Sequence, residues 1–341
     1  MKKVRLGKSG LMVTKTSFGA LPLQRISVTE AVRIIKKAYD GGVNYFDTAN
    51  AYTDSEKKLG EAFEGIRQNV IISTKSGGKD KKTVTEHIEN SLRALKTDYI
   101  DLFQFHNPAV LPDINDPDGP FAAALEAKQK GYVRHIGITN HRLAIAHQAV
   151  ESGWFETLQF PFCYLASDVD LKLLDKCLEA DMGFIAMKGL SGGLLNNAEA
   201  CFAFMQQYEQ VVPIWGIQHE WELDQWLELD KKGACMTDEI KAVIEHDRKE
   251  LAGNFCRSCG YCLPCPAGIE IPNAARMAQL LRRSPYKPYL TDEWRDRMHK
   301  IENCIHCNSC KSRCPYGLDT PSLLQLMLKD YDEFYAAHKD D

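Results

Sequence analysis

Two short runs of cysteine constrain this chain more than any other feature. Of its 12 cysteines, Cys163, Cys177, Cys201 and Cys235 are scattered, and all the others follow residue 255. Cys256, Cys259, Cys262 and Cys265 come at every third position and end at Pro266. Cys304, Cys307 and Cys310 repeat that spacing, and Cys314 follows after one residue more, before Pro315. The opening MKKVRLGKSG carries lysines but no apolar run behind them, so it does not read as a signal peptide. Without export, disulfides are a poor reading of these cysteines. Metal ligation is the better one, and the chain reads as cytoplasmic.

The second run matches the bacterial ferredoxin pattern, and the first is one residue short of it. Three thiolates at this spacing wrap one 4Fe–4S cubane, while the fourth, beside proline, serves the other cluster. The expected sets are therefore Cys256, Cys259, Cys262 and Cys314 for one cluster, and Cys304, Cys307, Cys310 and Cys265 for the other. A pair of Cys₄ zinc sites is the alternative. Zinc sites, however, usually take two CxxC pairs around a longer insert. The scattered cysteines read as small core residues.

Upstream the pattern is different. From residue 4 to about 230, short apolar runs alternate with helical ones: GVNYF then SEKKLGEAFEGI, NVIIST then VTEHIENSLRAL, DYIDLFQF then FAAALEAKQKG, YVRHIGIT then HRLAIAHQAVES. TLQF, GFIAM and VVPIW continue the series, and TKTSFGA opens it. Such alternation predicts a parallel sheet covered by helices. About eight units favour a closed (β/α)₈ barrel over an open doubly wound sheet, and the first strand lacks a GxGxxG. The expected class is α/β: a TIM barrel over residues 1–235, then a helical connector and a small α-helical ferredoxin-like iron–sulfur domain over 236–341.

Composition narrows the function. A net charge of −4 with 26% charged residues gives no support to nucleic-acid binding or membrane-surface attraction. No apolar run approaches the roughly 20 residues that span a bilayer.

Four polar residues stand where a barrel places its chemistry, at the C-terminal ends of strands. Asp47 ends GVNYF, Lys75 ends NVIIST, His106 ends DYIDLFQF, and Tyr52 lies just after the first of these. A phenol titrates near pH 10, and a neighbouring ammonium lowers that value. Asp47 would hold Lys75, His106 would donate to a carbonyl oxygen, and Tyr52 would give its proton as a hydride arrives.

FDTAxxY (Phe46 to Tyr52), ISTK (Ile72 to Lys75), His106, the opening RLGKSGLMV and RHIGITN (Arg134 to Asn140) resemble the aldo-keto reductases. With CRSCGYCLPCP the chain resembles the subgroup with a C-terminal cluster domain. The resemblance implies a barrel closed at its bottom by an N-terminal hairpin, NAD(P)H bound without a Rossmann fold, and reduction of a small-molecule carbonyl substrate. It assigns Asp47, Tyr52, Lys75 and His106 to the catalytic tetrad. Thr139, Asn140 and Gln159 match the carboxamide grip, Lys188, Leu190 and Gly192 the pyrophosphate loop, and Gly19 and Ala20 backbone contacts near the ribose.

Two positions depart from the family. Met187 stands where many members stack a tyrosine on the nicotinamide. Glu222, in GIQHEWELDQW, falls about where an arginine usually meets the 2′-phosphate, which leaves NADH and NADPH both open. The clusters admit two roles, shaping the substrate mouth or exchanging electrons with an external redox partner protein. A third reading, a cofactor-sensing subunit without turnover, sits poorly with an intact tetrad. The loop Asn107 to Pro120 is expected to line the substrate pocket.

Overall fold

The computed structural model describes residues 1–251, 255–283 and 285–339. By Cα proximity the chain forms two compact units, one of Met1–Gly189 and Asn197–Ala242, the other of Leu190–Asn196 and Val243–Asp341.

The first unit opens with a hairpin, β1 (Lys3–Arg5) and β2 (Met12–Thr14). Eight strands follow: β3 (Ser17–Gly19), β4 (Tyr45–Asp47), β5 (Ile71–Ser76), β6 (Ile100–His106), β7 (Val133–Thr139), β8 (Thr157–Pro161), β9 (Gly183–Met187) and β10 (Val211–Gly216). They pair in parallel in chain order, and β10 returns to β3, closing the barrel. Helices α1 (Val28–Asp40), α2 (Ser55–Ala62), α3 (Lys81–Ala94), α4 (Pro120–Gln129), α5 (Leu143–Ser152), α6 (Asp168–Glu179), α7 (Ala198–Gln206) and α8 (Glu220–Lys232) follow β3 to β10 in turn. The expected (β/α)₈ architecture is thus present.

The helices form where the sequence gives them a stripe and a cap. In α1, Ala31, Ile34, Ile35 and Ala38 are buried at the i, i+3, i+4, i+7 spacing. Ser27 caps that helix by accepting from Glu30 N–H, and Asp80 caps α3 through Thr83 N–H. The hairpin seals the barrel at the N-terminal ends of its strands. Val4, Leu6 and Val13 pack into one core with Tyr45, Leu102, Ile185 and Val212. Gly7 pairs with Met182, and a Cβ on Gly7 would stand 2.1 Å from Gly183 N, so only glycine fits there.

The second unit contains α9 (Asp238–Glu250) from Val243 onward, α10 (Ile271–Ala274), α11 (Met277–Arg283), α12 (Asp292–His299), α13 (Ser309–Ser312) and α14 (Thr320–His338), with no strand among its described residues. Helix α14 packs on α10 to α13. Tyr331 is buried and donates from its hydroxyl to Tyr289 O at 2.8 Å. Arg282 grips Asp330 through two bonds of 2.8 and 2.7 Å. A unit this small and loop-rich has a thin apolar core, the situation in which bound metal contributes to folding. Among the described residues no helix is long and apolar enough to cross a membrane.

Candidate functional site

Strand register brings the predicted polar residues to one end of the barrel. Asp47 is level with Ser73 and with Gly19, Lys75 with Gln104, His106 with Thr139, and Thr139 with Gln159. The Lys75 ammonium donates to Asp47 Oδ2 at 2.6 Å and also to Thr48 O. Its nitrogen lies 5.4 Å from the centre of the Tyr52 ring. That ring meets His106 edge to face, with centroids 5.7 Å apart. The structure therefore gathers Asp47, Tyr52, Lys75 and His106.

Burial sets the charges of this group. It depresses Lys75 below the ordinary lysine range, and Asp47 opposes the effect by holding the proton on the amine. His106 is pushed down to about 3, first by burial and then by the positive Lys75. Its imidazole is neutral across the working pH range, so it offers an N–H to a ligand without adding charge. His141 is likewise pushed well below its usual value by burial and by Lys188.

Several supporting residues escape a reading from strand ends alone. Asp47 Oδ1 accepts from Ser73 Oγ at 2.6 Å and Gln104 Nε2 at 3.2 Å. Gln104 also donates to Gln159 Oε1 at 2.9 Å, and the Tyr45 hydroxyl meets Ser73 at 2.9 Å. A signal was available: Gln104 is the polar residue in DLFQFH, two positions before His106 and so on its face of the strand. Glu56, in the first turn of α2, is buried against Thr74. Burial raises its carboxyl pKa, and hydrogen bonds from Ser91, Thr74 and Asn50 oppose that.

Of the residues matched to cofactor contacts, those in the first unit, Gly19, Ala20, Thr139, Asn140, Gln159, Met187 and Lys188, lie in or just after barrel strands. Gly19 closes β3, and Ala20 N–H donates to Asp47 O at 2.8 Å. Thr139 closes β7 and directs its hydroxyl to Met187 Sδ at 3.8 Å. Asn140 donates from its side chain to Pro108 O at 2.9 Å. Gln159 sits in β8, Met187 ends β9, and Lys188 follows with a left-handed φ of 59°. Ser191, Gly192 and Gly193 have φ of 49°, 69° and 91°, the kind of backbone that turns successive amides toward an anion. Ser191 Oγ is buried with no hydrogen-bond partner among the described residues. By proximity Leu190 and Gly192 belong to the second unit.

Glu222 has a structural task of its own. Its Oε2 accepts from Gln218 N–H at 2.7 Å and His219 N–H at 2.8 Å, completing a capping box at the start of α8. The helix end nearest the predicted 2′-phosphate segment already holds a carboxylate.

The cysteines frame two cavities within the second unit. One is faced by Cys256, Cys259, Cys262, Cys310 and Cys314, with Ile271, Ala275 and Leu318 beside them. The other is faced by Cys262, Cys265, Cys304, Cys307 and Cys310, with Ile269 and Leu324. Each cavity has three thiols from one run and the proline-flanked thiol of the other run, plus one more cysteine, Cys310 in the first and Cys262 in the second, that lines both cavities. An all-cysteine donor set in an apolar lining fits an iron–sulfur cluster. Burial pushes Cys262 up to about 12 in the free thiol, with Cys256 and Cys259 adding to the shift.

Comparisons with known proteins bear on both segments of the chain. The aldo/keto reductase family model matches residues 13–225, and the 4Fe-4S dicluster domain model matches residues 255–319. The chain is 30% identical over 176 residues to the uncharacterized oxidoreductase YqkF of Bacillus subtilis (strain 168), covering 48% of this chain and 56% of that protein. It is 32% identical over 213 residues to L-galactose dehydrogenase of Arabidopsis thaliana, covering 56% and 66%. It thus spans between about half and two thirds of the length of these relatives. Among solved structures, the holo form of aldo-keto reductase AKR11C1 from Bacillus halodurans superposes with a TM-score of 0.64 at 24% identity, over 72% of this chain and 96% of that one. An aldo-keto reductase from Klebsiella pneumoniae in complex with NADPH gives 0.62 at 20%, over 72% and 94%. At these identities the likeness shows the fold. With the family match covering most of the barrel, the chain belongs to the aldo/keto reductase family, as an oxidoreductase whose barrel is followed by a 4Fe-4S dicluster domain.

Proposed function

We propose that the chain reduces an aldehyde or ketone to the alcohol with NADH or NADPH, using Tyr52 as the proton donor. The observation that carries this reading is the buried Asp47–Lys75 pair beside Tyr52, with a neutral His106 packed edge to face against the same ring. When bound, the nicotinamide supplies the hydride. Thr139, Asn140 and Gln159 would hold its carboxamide, and Lys188, Leu190 and Gly192 its pyrophosphate. His106 donates to the carbonyl oxygen and orients the substrate. Tyr52 releases its phenolic proton to that oxygen as charge develops there, and the Lys75 ammonium stabilises the phenolate left behind. Asp47 fixes Lys75 and keeps it protonated. Met187 packs as a thioether where a flat ring would stack, which makes the nicotinamide face more adaptable.

The carboxylate of Glu222 at the start of α8 disfavours a 2′-phosphate by repulsion and by occupying the amides that would meet it. NADH is the expected partner. Two 4Fe–4S clusters are held by Cys256, Cys259, Cys262 and Cys314 and by Cys304, Cys307, Cys310 and Cys265, and they support the fold of the second unit.

Protein purified without oxygen and loaded with iron and sulfide tests this reading with a panel of aldehydes and ketones and each nucleotide. Nucleotide oxidation that depends on the carbonyl, and that vanishes in Tyr52→Phe, is the expected result. Undiminished turnover in Tyr52→Phe would remove the mechanism.

One observation favours a second reading, in which the clusters carry electrons one at a time between a redox partner protein and the barrel. Cys307 is exposed, and its neighbour Ile305 is 66% exposed, so the second cage lies at the surface where a partner can approach. Turnover driven by a one-electron donor without nucleotide, lost in Cys307→Ser, would support it.

A further inference from the structure

Gln104 lies in β6, level with Lys75 of β5 and two residues before His106. Its side chain is fully buried. Its amide nitrogen donates to Asp47 Oδ1 at 3.2 Å and to Gln159 Oε1 at 2.9 Å. Gln159 in turn donates from Nε2 to Asp47 Oδ2 at 3.5 Å. Asp47, Gln104 and Gln159 all belong to the first unit.

The chemistry of these three groups leaves one arrangement. An ionised carboxylate only accepts hydrogen bonds, so the end of Gln104 that meets Asp47 is its NH₂. The end of Gln159 that meets the other N–H of Gln104 is then its carbonyl oxygen. Turning either amide over would set oxygen against oxygen in a buried site. The orientation of both amides therefore follows from Asp47, whose charge Lys75 holds at 2.6 Å. The arrangement carries a cost, because Gln104 Oε1 is buried with no hydrogen-bond partner among the described residues. An unmet buried acceptor destabilises a fold, and an apolar side chain at 104 would avoid it, so stability alone does not account for an amide there. What the amide achieves is a fixed Gln159. Among the described residues Gln159 uses one N–H and one oxygen lone pair inside the network, and an amide has two of each. The remaining pair is available to a ligand in a set direction, with Thr139 level with it on the neighbouring strand.

We propose that Gln104 is a positioning residue that locks the Gln159 amide, so that Gln159 meets the nicotinamide carboxamide in one orientation. The inference rests on the reading that Gln159 holds that carboxamide. An amide free to turn must be ordered when the ligand arrives, and binding is weaker by that cost. Affinity for the nicotinamide half of the nucleotide thus depends on Gln104, and affinity for the adenosine and pyrophosphate half does not.

The experiment uses the full chain, cluster-loaded and anaerobic, as wild type, Gln104→Met, Gln159→Met and the double variant. Methionine keeps the length of glutamine and removes the amide. Titration calorimetry gives dissociation constants for NADH and for adenosine diphosphate ribose, which lacks the nicotinamide. Gln104→Met is expected to bind NADH about tenfold more weakly, a coupling of the size found between residues in contact, and to bind adenosine diphosphate ribose as the wild type does. In the Gln159→Met background the same change should have no further effect on NADH, since Gln104 acts through Gln159. A role confined to holding the barrel together would weaken both ligands alike and would persist in that background, and either result overturns the proposal. So does a Gln104→Met protein that binds NADH like the wild type while Gln159→Met does not. NADH affinity undiminished in Gln159→Met refutes the carboxamide reading, and the inference falls with it. If Gln104→Met does not fold, Gln104→Asn, which keeps a buried amide but withdraws it from Gln159 by one methylene, takes its place: a selective loss of NADH affinity upholds the proposal, and unchanged or parallel affinities overturn it.

Discussion

Lys75 Nζ lies 2.6 Å from Asp47 Oδ2, with the two side chains only 1% and 4% exposed. Both charges are satisfied beyond the pair, Lys75 by Thr48 O and Asp47 by Ser73 and Gln104. Removing one partner strands the other in a site that water cannot reach. Lys75→Met should therefore cost about 3–5 kcal/mol of barrel stability. The double variant Asp47→Asn with Lys75→Met should lose less than the sum of the single losses. Urea unfolding checks this, followed by near-ultraviolet circular dichroism of the stacked Trp215 and Trp226, whose centroids lie 3.9 Å apart. Strict additivity would mean that the pair does not interact.

Tyr52→Phe keeps the ring packed against His106 and removes only the acidic proton. Turnover should fall by roughly 10²- to 10⁴-fold, the range of general acid catalysis, with nucleotide affinity unchanged. Single-turnover kinetics at saturating nucleotide separates the two. A loss of affinity with intact chemistry would assign Tyr52 to binding.

His106 makes stability depend on pH in a definite direction. The folded protein holds its imidazole neutral down to about 3, whereas the ordinary value is 6.5. Between these values the unfolded chain binds the extra proton, so stability rises with pH through that window. The contribution is complete above the ordinary value and shrinks as pH falls toward the folded one. His106→Gln should flatten the Tm profile between about pH 4 and 7, with His141 keeping its own share of the slope. Parallel profiles for wild type and variant would contradict the burial of this ring.

Glu222 tests nucleotide choice. Glu222→Gln keeps a capping acceptor but removes the repulsion, and Glu222→Arg adds a cation. The ratio of NADPH to NADH affinity should rise in the first and rise further in the second, by about tenfold or more. An unchanged ratio in both would place the 2′-hydroxyl elsewhere.

The barrel was legible because its signal is local and repeated. A strand such as NVIIST followed by VTEHIENSLRAL declares a βα unit without reference to anything distant, and Asp47, Lys75 and His106 mark the strand ends. Ser73 and Gln104 are not legible, since a polar residue inside an apolar run has meaning only once register fixes its neighbours, and Glu56 stands in a polar helical stretch that gives no sign of its burial. Glu222 was legible as a charge but not as a helix cap, because that role depends on where α8 begins. The hold of Arg276 on Gly192 joins residues 84 positions apart, and no periodicity carries such a contact. The cysteine runs lie between these extremes, with spacing that declares the chemistry and the expected interleaving while the folded chain supplies the cavities that the thiols line.

That sharing yields the most discriminating test of the second unit. Cys265 faces the cavity of Cys304, Cys307 and Cys310, and Cys314 faces that of Cys256, Cys259 and Cys262. If each run lends its last thiolate to the other cage, variants should group by cage and not by run. Cys265→Ser should perturb the same centre as Cys304→Ser, and Cys314→Ser the same centre as Cys256→Ser. Electron paramagnetic resonance of the dithionite-reduced protein distinguishes the centres. Iron analysis should give about eight atoms per chain in the wild type and nearer four where a whole cage empties. Grouping by run, with Cys265→Ser resembling Cys256→Ser, would mean that each motif closes on its own cluster. The interleaved arrangement would then have to be abandoned.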